Sequence, residues 1–280
     1  MKDKKMFDKN KILILGNGFI GNRLHDELGW ILSDRKIYSF KDINAEIKKY
    51  KPKIIVNCIG YTGKKNVDDC EKDIDKTIMA NTFVPILLGE IALRCGIKLV
   101  HISSGCIYHY DYERQRPITE NRVPDYYDLY YSRSKIYSEA VLKELAIRYN
   151  ILILRMRIPM DNRPHPKNIV DKLIKYKRVL DIPNSVTYVP DFIKAMKYLI
   201  SIDAVGIYNV VCKGALRYPQ LMDVYRRYRP EFKYEILPLE ELGLDRTNLI
   251  LSTKKLEDTG FPVRSIKEVV EECIKEYVKY

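Results

Sequence analysis

The chain has 280 residues, 46% hydrophobic and 31% charged, an ordinary globular composition long enough for one large domain or a core with a smaller lobe. Its net charge of +12 rests on lysines scattered through KDKKMFDKNK, EIKKYKPK and KLIKYKR, with no basic module interleaved with aromatic platforms. Nucleic acid is therefore not expected as a partner, and the charge suits a polyanionic small ligand.

The N-terminal MKDKKMFDKN has no apolar core of the signal-peptide kind, and no run approaches the length of a membrane span. The expectation is a soluble, cytoplasmic protein with no membrane partner. In chain order, KILIL (Lys11–Leu15) is a short apolar run ending in glycines, as a buried first strand should be. KIYSF (Lys36–Phe40), KIIVN (Lys53–Asn57), KLVHIS (Lys98–Ser103) and ILILRMR (Ile151–Arg157) repeat the pattern, with helices predicted over Ile78–Arg94 and Tyr131–Tyr149. Beyond Arg157 the regularity weakens at Pro159, Pro164 and Pro166, and a last helix is predicted near Ser265–Val278. This alternation predicts an α/β fold, a Rossmann doubly wound parallel sheet, with a smaller C-terminal substrate lobe. Residues 1–157 are expected to bind the nucleotide. Residues 158–280 are expected to be mainly a substrate lobe, with a segment near 206–211 returning to the sheet.

Six cysteines (Cys58, Cys70, Cys95, Cys106, Cys212, Cys273) form no C-x-x-C pair and no zinc-type spacing, so neither a metal site nor a disulfide framework is expected. GNGFIG places Gly16, Gly18 and Gly21 in a G-x-G-x-x-G pattern between the first strand and a helix beginning FIGNRLHDEL. The first glycine permits the tight turn, the second admits a pyrophosphate, the third allows helix–strand contact, and the helix start offers N–H groups to phosphate. Asn17, Phe19 and Ile20 complete this candidate cofactor loop, and Asn57, Gly60 and Asn81 are candidates for lining the same cleft. Asp42 stands near the place of a ribose-binding acid but also reads as part of a helix start, while Lys41 beside it suits a 2′-phosphate. NADPH is the expected cofactor, with NADH the alternative.

YYSRSK holds Tyr131 and Lys135 in Y-x-x-x-K spacing, which puts phenol and ammonium on one helix face. An ammonium lowers a neighbouring phenol from its ordinary pKa of about 10, so Tyr131 could pass a proton near neutral pH. Ser104, at the end of the preceding strand, would hydrogen-bond the same carbonyl oxygen. The set suits hydride transfer to a ketone whose alkoxide is protonated by Tyr131. Tyr130 is the rival phenol but has no lysine four residues on.

With these motifs, and with the segments GYTGKKNVDDCE, SSGCIYHYD, LRMRIP, PKNIVDKLIKYKRVLDIPNS and GIYNVV, the chain resembles the extended short-chain dehydrogenase/reductases of the nucleotide-sugar branch. Within them it is similar to the UDP-4-keto-6-deoxyglucose 3,5-epimerase/4-reductases that form UDP-L-rhamnose, and more distantly to dTDP-4-dehydrorhamnose reductases and GDP-fucose synthases. The resemblance implies an epimerising base at Cys106 and an acid at Lys172. It also implies substrate contacts in the segments of Asn168, Arg178 and Arg246, a homodimer, and a separate 4,6-dehydratase that supplies the UDP- or dTDP-4-keto-6-deoxyglucose. The residues alone favour a buried, inert thiol at Cys106, and the resemblance reverses that preference. The alternatives in activity are a dTDP-4-dehydrorhamnose reductase without epimerase activity and a non-catalytic NADP-binding regulatory subunit.

Overall fold

A computed structural model describes residues 8–111, 114, 116–238, 241 and 248–280. The chain divides into two compact units that are interleaved in sequence. Met1–Ile107, Pro124–Arg155 and Met196–Tyr208 make the first, and Tyr108–Val123, Met156–Ala195 and Asn209–Tyr280 the second.

In chain order the first unit contains β1 (Ile12–Leu15), α1 (Phe19–Leu28), β2 (Ile31–Ser33), α2 (Phe40–Tyr50), β3 (Ile54–Asn57), α3 (Ile74–Ile78), α4 (Val84–Cys95), β4 (Lys98–Ser104), α5 (Tyr130–Ala146) and β5 (Ile151–Met156). The second continues with β6 (Pro159–Met160), α6 (Ile169–Tyr176), β7 (Arg178–Leu180) and β8 (Thr187–Tyr188). The division falls at the last residue of β5, inside α7 (Val189–Ser201) and at the end of β9 (Gly206–Asn209). The remaining elements are α8 (Tyr218–Tyr228), β10 (Glu235–Leu237), α9 (Lys254–Glu257) and α10 (Ile266–Tyr277).

Apolar four- to seven-residue strands buried on both faces need helices on both sides, and the first unit supplies them. Its six-stranded sheet runs β2-β1-β3-β4-β5-β9, with β1 parallel to β2 and β3, and β3 parallel to β4. The fold is the doubly wound α/β type. Leu13, Leu15, Ile55, Leu99, Ile151 and Ile153 of the strands pack against Val84, Leu88 and Ile91 of α4 and Leu142 and Ala146 of α5. The chain leaves β1 for β2 on one side and β3 on the other, so the strand order reverses at β1 and opens a crevice at the strands' carboxyl ends.

KIYSF is not a strand. The second strand is Ile31–Ser33, and Ser39 instead caps α2, accepting from the Asp42 N–H while the Asp42 carboxylate accepts from the Tyr38 N–H and the Ser39 hydroxyl. A serine–aspartate cap outweighs the β propensity of Ile37 and Tyr38. The helical stretch Ile74–Cys95 is also long and apolar enough by composition to cross a bilayer, although no unbroken apolar run marks it in the sequence. Its inner face is core: Val84, Leu88, Ile91 and Ala92 pack on the sheet. A π-helical turn, Met79–Phe83, joins α3 to α4.

In the second unit α6, α8 and α10 enclose Val170, Leu173, Leu221, Met222, Val269 and Ile274. Two short parallel pairs, β6 with β8 and β7 with β10, complete it.

Candidate active site

The glycine turn follows from packing. Gly16 has φ +102°, and a Cβ there would lie 2.7 Å from the Ile59 nitrogen, so only glycine lets β1 turn against the loop after β3. A Cβ on Gly21 would meet the Gly16 carbonyl oxygen at 1.8 Å, which fixes α1 against that turn. Gly18 is different: a Cβ there would touch nothing within 4 Å. Gly18 is the N-cap of α1 and offers no side-chain cap, while its carbonyl accepts from the Asn22 N–H and amide. Asn22 also donates to the Asn17 carbonyl at 2.6 Å. Phe19, Ile20 and Gly21 form the first turn of α1. Two glycines forced by backbone contact, beside one facing open space at an uncapped helix start, fit the pyrophosphate of a dinucleotide.

At the reversal point Gly60, Asn81 and Lys135 come together. A Cβ on Gly60 would stand 3.3 Å from Lys135 Nζ and 3.4 Å from Asn81 Oδ1. Asn81 sits in the π turn, a frequent functional device because the wide turn redirects one side chain. Its amide donates to the Tyr61 carbonyl (2.9 Å) and to Ser134 Oγ (3.1 Å), and its Oδ1 accepts from the Tyr61 N–H (2.8 Å). Asn57 lines no cleft. It is fully buried, accepts from the Ile59 N–H and bonds His101 Nδ1 at 3.0 Å, so it shapes the loop after β3 from beneath.

Lys41 is exposed in the first turn of α2 and is not at the carboxyl end of β2. Ser33, Asp34 and Arg35 are there, where a doubly wound fold places the ribose end of a dinucleotide. Arg35, paired with Glu46 at 2.7 Å, is the cation at that position. Reading KIYSF as a strand hides it.

The candidate proton-transfer residues are carried by β4 and α5. Ser104 ends β4, and its hydroxyl oxygen accepts the Cys106 N–H at 3.1 Å. Ser132 Oγ donates to the Cys106 carbonyl at 2.5 Å. The half-buried Cys106 is thus tied on one side to Ser104 and on the other to the helix of Tyr131 and Lys135. Tyr131 and Lys135 are buried on one face of α5. Burial pushes the Lys135 ammonium down to about 8, against the attraction of Glu139, Cys70 and Cys106. Burial, with the Lys135 charge second, also holds His101 well below its ordinary range, which makes it a neutral imidazole. Sequence reasoning missed Ser103, His101, Ser132, Glu139 and Arg155. The one available signal was Arg155, a charge inside an otherwise apolar strand.

The other assigned residues lie in the second unit. Asn168 is fully committed to its own fold. It caps α6 by accepting from the Val170 N–H, accepts also from the Asp161 N–H, and donates to the Asp161 and Arg163 carbonyls. With four hydrogen bonds filled, its side chain is a structural cap and not a substrate contact. Lys172 is partly buried on α6. Arg178 opens β7, exposed and paired with Glu241 at 2.8 Å. Arg246 lies outside the described residues. Among the described residues no group of three His, Cys, Asp or Glu side chains could hold a metal ion.

The family model described as RmlD substrate binding domain matches residues 11–191. The bifunctional dTDP-4-dehydrorhamnose 3,5-epimerase/dTDP-4-dehydrorhamnose reductase of Arabidopsis thaliana is 32% identical over 241 residues, which span 81% of this chain and 78% of the plant protein. The L780 UDP-rhamnose synthase of Acanthamoeba polyphaga mimivirus superposes with a TM-score of 0.87 at 23% identity, covering 95% of this chain and 98% of that one, a likeness of fold. The dTDP-4-dehydrorhamnose reductase of Bacillus anthracis, solved in complex with NADP, superposes with a TM-score of 0.81 at 25% identity and the same coverage. The match runs from the first strand past Tyr131 and Lys135, and the chain belongs to the RmlD substrate-binding family.

Proposed function

We propose that the chain epimerises UDP-4-keto-6-deoxyglucose at C-3 and C-5 and reduces its C-4 ketone with NADPH, giving UDP-L-rhamnose. One observation carries the two-step reading: the Cys106 peptide is bonded both to Ser104 and to the helix that presents Tyr131 and Lys135. The reductive part is supported by membership of a family whose relatives include reductases and epimerase/reductases of 4-keto sugars. The glycine turn and the NADP-bound relative support NADPH as the cofactor.

Bound NADPH supplies the hydride that C-4 receives. The chain's own residues handle the protons. A 4-keto group acidifies the hydrogens on C-3 and C-5, and the Cys106 thiolate removes one, while Ser104 and Tyr131 donate to the enolate oxygen. The resemblance assigns the return of a proton to Lys172. Reduction destroys the ketone that acidifies both carbons, so epimerisation comes first. Tyr131 then gives its phenolic proton to the C-4 oxygen, and the Lys135 ammonium stabilises the phenolate left behind. A separate 4,6-dehydratase supplies the keto sugar. The reading includes a homodimer, for which sedimentation at twice the chain mass is the check.

The test is NMR of purified chain with NADPH and UDP-4-keto-6-deoxyglucose in D₂O. The expected product is UDP-L-rhamnose carrying deuterium at C-3 and C-5. Cys106→Ala is expected to lose deuterium incorporation yet still reduce an already epimerised keto sugar. NADPH oxidation without deuterium in the wild-type product would leave a plain 4-keto reductase. NADPH binding without turnover would leave a non-catalytic subunit.

A further inference from the structure

Beneath the proton-transfer set the first unit buries an ion pair that the mechanism above does not use. Glu139 lies one helical turn beyond Lys135 on α5, and Arg155 stands on β5; they are 2% and 1% exposed. The Glu139 carboxylate accepts from Arg155 Nε at 3.1 and 3.0 Å, from Arg155 Nη2 at 2.5 Å and from the Ser103 hydroxyl at 2.8 Å. Ser103 immediately precedes Ser104.

Stability is a poor explanation for this pair. Taking two charges out of water carries a desolvation penalty that their attraction often fails to repay, and apolar residues of similar volume commonly serve a core as well or better. Its position is informative instead. The carboxylate joins the carboxyl end of β4 to the helix of Tyr131 and Lys135, and it puts a negative charge beside a buried ammonium. The groups around that ammonium are Tyr131 and Glu139 on its own helix, His101 on β4, Cys106 after β4, and Cys70 in the turn Val67–Glu71. His101 is neutral, so Glu139 is the fixed negative charge of the set.

We propose that Glu139, held by Arg155 and Ser103, is a positioning residue for the reduction: it keeps the Lys135 ammonium charged and holds Ser104 in register with Tyr131. This rests on the proposed 4-keto reduction. Without the carboxylate, Lys135 would lose its proton at lower pH, and above that pH Tyr131 would lack the cation that stabilises its phenolate.

The experiment titrates Lys135 by ¹³C-lysine NMR in the cofactor-free chain, with the resonance assigned by Lys135→Met, alongside the pH dependence of reduction. The wild-type midpoint is expected at about 8. Glu139→Gln should lower it by about one pH unit. The alkaline limb of kcat should follow, an about tenfold loss above both midpoints, with KM for NADPH unchanged. Because that substitution takes the carboxylate away from the buried Arg155 guanidinium, a second variant combines Glu139→Leu with Arg155→Met. It should melt no lower than wild type and show the same lowered midpoint. A midpoint that stays at the wild-type value in either folded variant overturns the proposal. If wild type reduces no 4-keto sugar while the midpoint still moves, the proposed reduction fails and the coupling of Glu139 to Lys135 stands.

Discussion

Lys135 is placed where a lysine opposes folding. Burial lowers its folded-state pKa from 10.5 to about 8, so between these values the unfolded chain binds more protons and stability rises with pH. Below pH 8 the charged ammonium is buried against its preference, and Lys135→Met should abolish reduction yet stabilise the cofactor-free chain at pH 7 by roughly 2 kcal/mol. That gain should shrink as the pH rises from 8 towards 10.5. Melting curves of both proteins at pH 7 and pH 10 check it; equal melting temperatures at pH 7 would show that Lys135 is not desolvated. At this scale the sequence was partly legible. Tyr131 and Lys135 are visible because their chemistry comes with a spacing, whereas Ser132 and Ser103 are single serines whose partners lie across the fold. Asn168 was misread because a helix cap and a ligand contact use the same residue types.

The loop between β1 and α1 divides its glycines by job, and this separates binding from folding. Gly21→Ala drives a methyl into the Gly16 carbonyl, so it should destabilise the chain by about 2–3 kcal/mol. Gly18→Ala meets no atom of the chain and should melt like wild type, but weaken NADPH binding because the methyl takes the space left for phosphate. Thermal melts of the cofactor-free proteins and fluorescence titrations with NADPH give the two readouts, and a Gly18→Ala variant that binds NADPH normally would remove the loop from the cofactor site. The pattern G-x-G-x-x-G was legible because strand, turn and helix are all local. The strand assigned to KIYSF was not, since the Ser39 cap and an alternation of apolar residues compete over the same five letters. The π turn left no trace in the periodicity, because one extra residue in a wide turn looks like ordinary scatter.

The excess of positive charge acts on the whole molecule. With +12 spread over the chain, the attraction for a nucleotide diphosphate is long-ranged and screened by salt. Raising ionic strength from about 50 to about 300 mM should raise KM for the keto sugar while leaving kcat nearly constant. A KM flat across that range would make the charge irrelevant to substrate capture. The alternation that marks a doubly wound fold was legible because each element is local in sequence. The return of the chain to the sheet near 206–211 was legible too, and β9 makes it, but the assignment of Tyr108–Val123 to the second unit was not, because no local pattern records which distant segment a loop will join. The interleaving of the two units also orders events during synthesis. β5 has its final neighbour only when β9 arrives, so between Met156 and Gly206 a growing chain carries an apolar strand with an open edge. The interval in which a nascent chain can pair wrongly with another therefore lasts while α6 and α7 are being made. A ribosome stalled before Gly206 would hold a sheet that is complete in its chemistry and incomplete at its border.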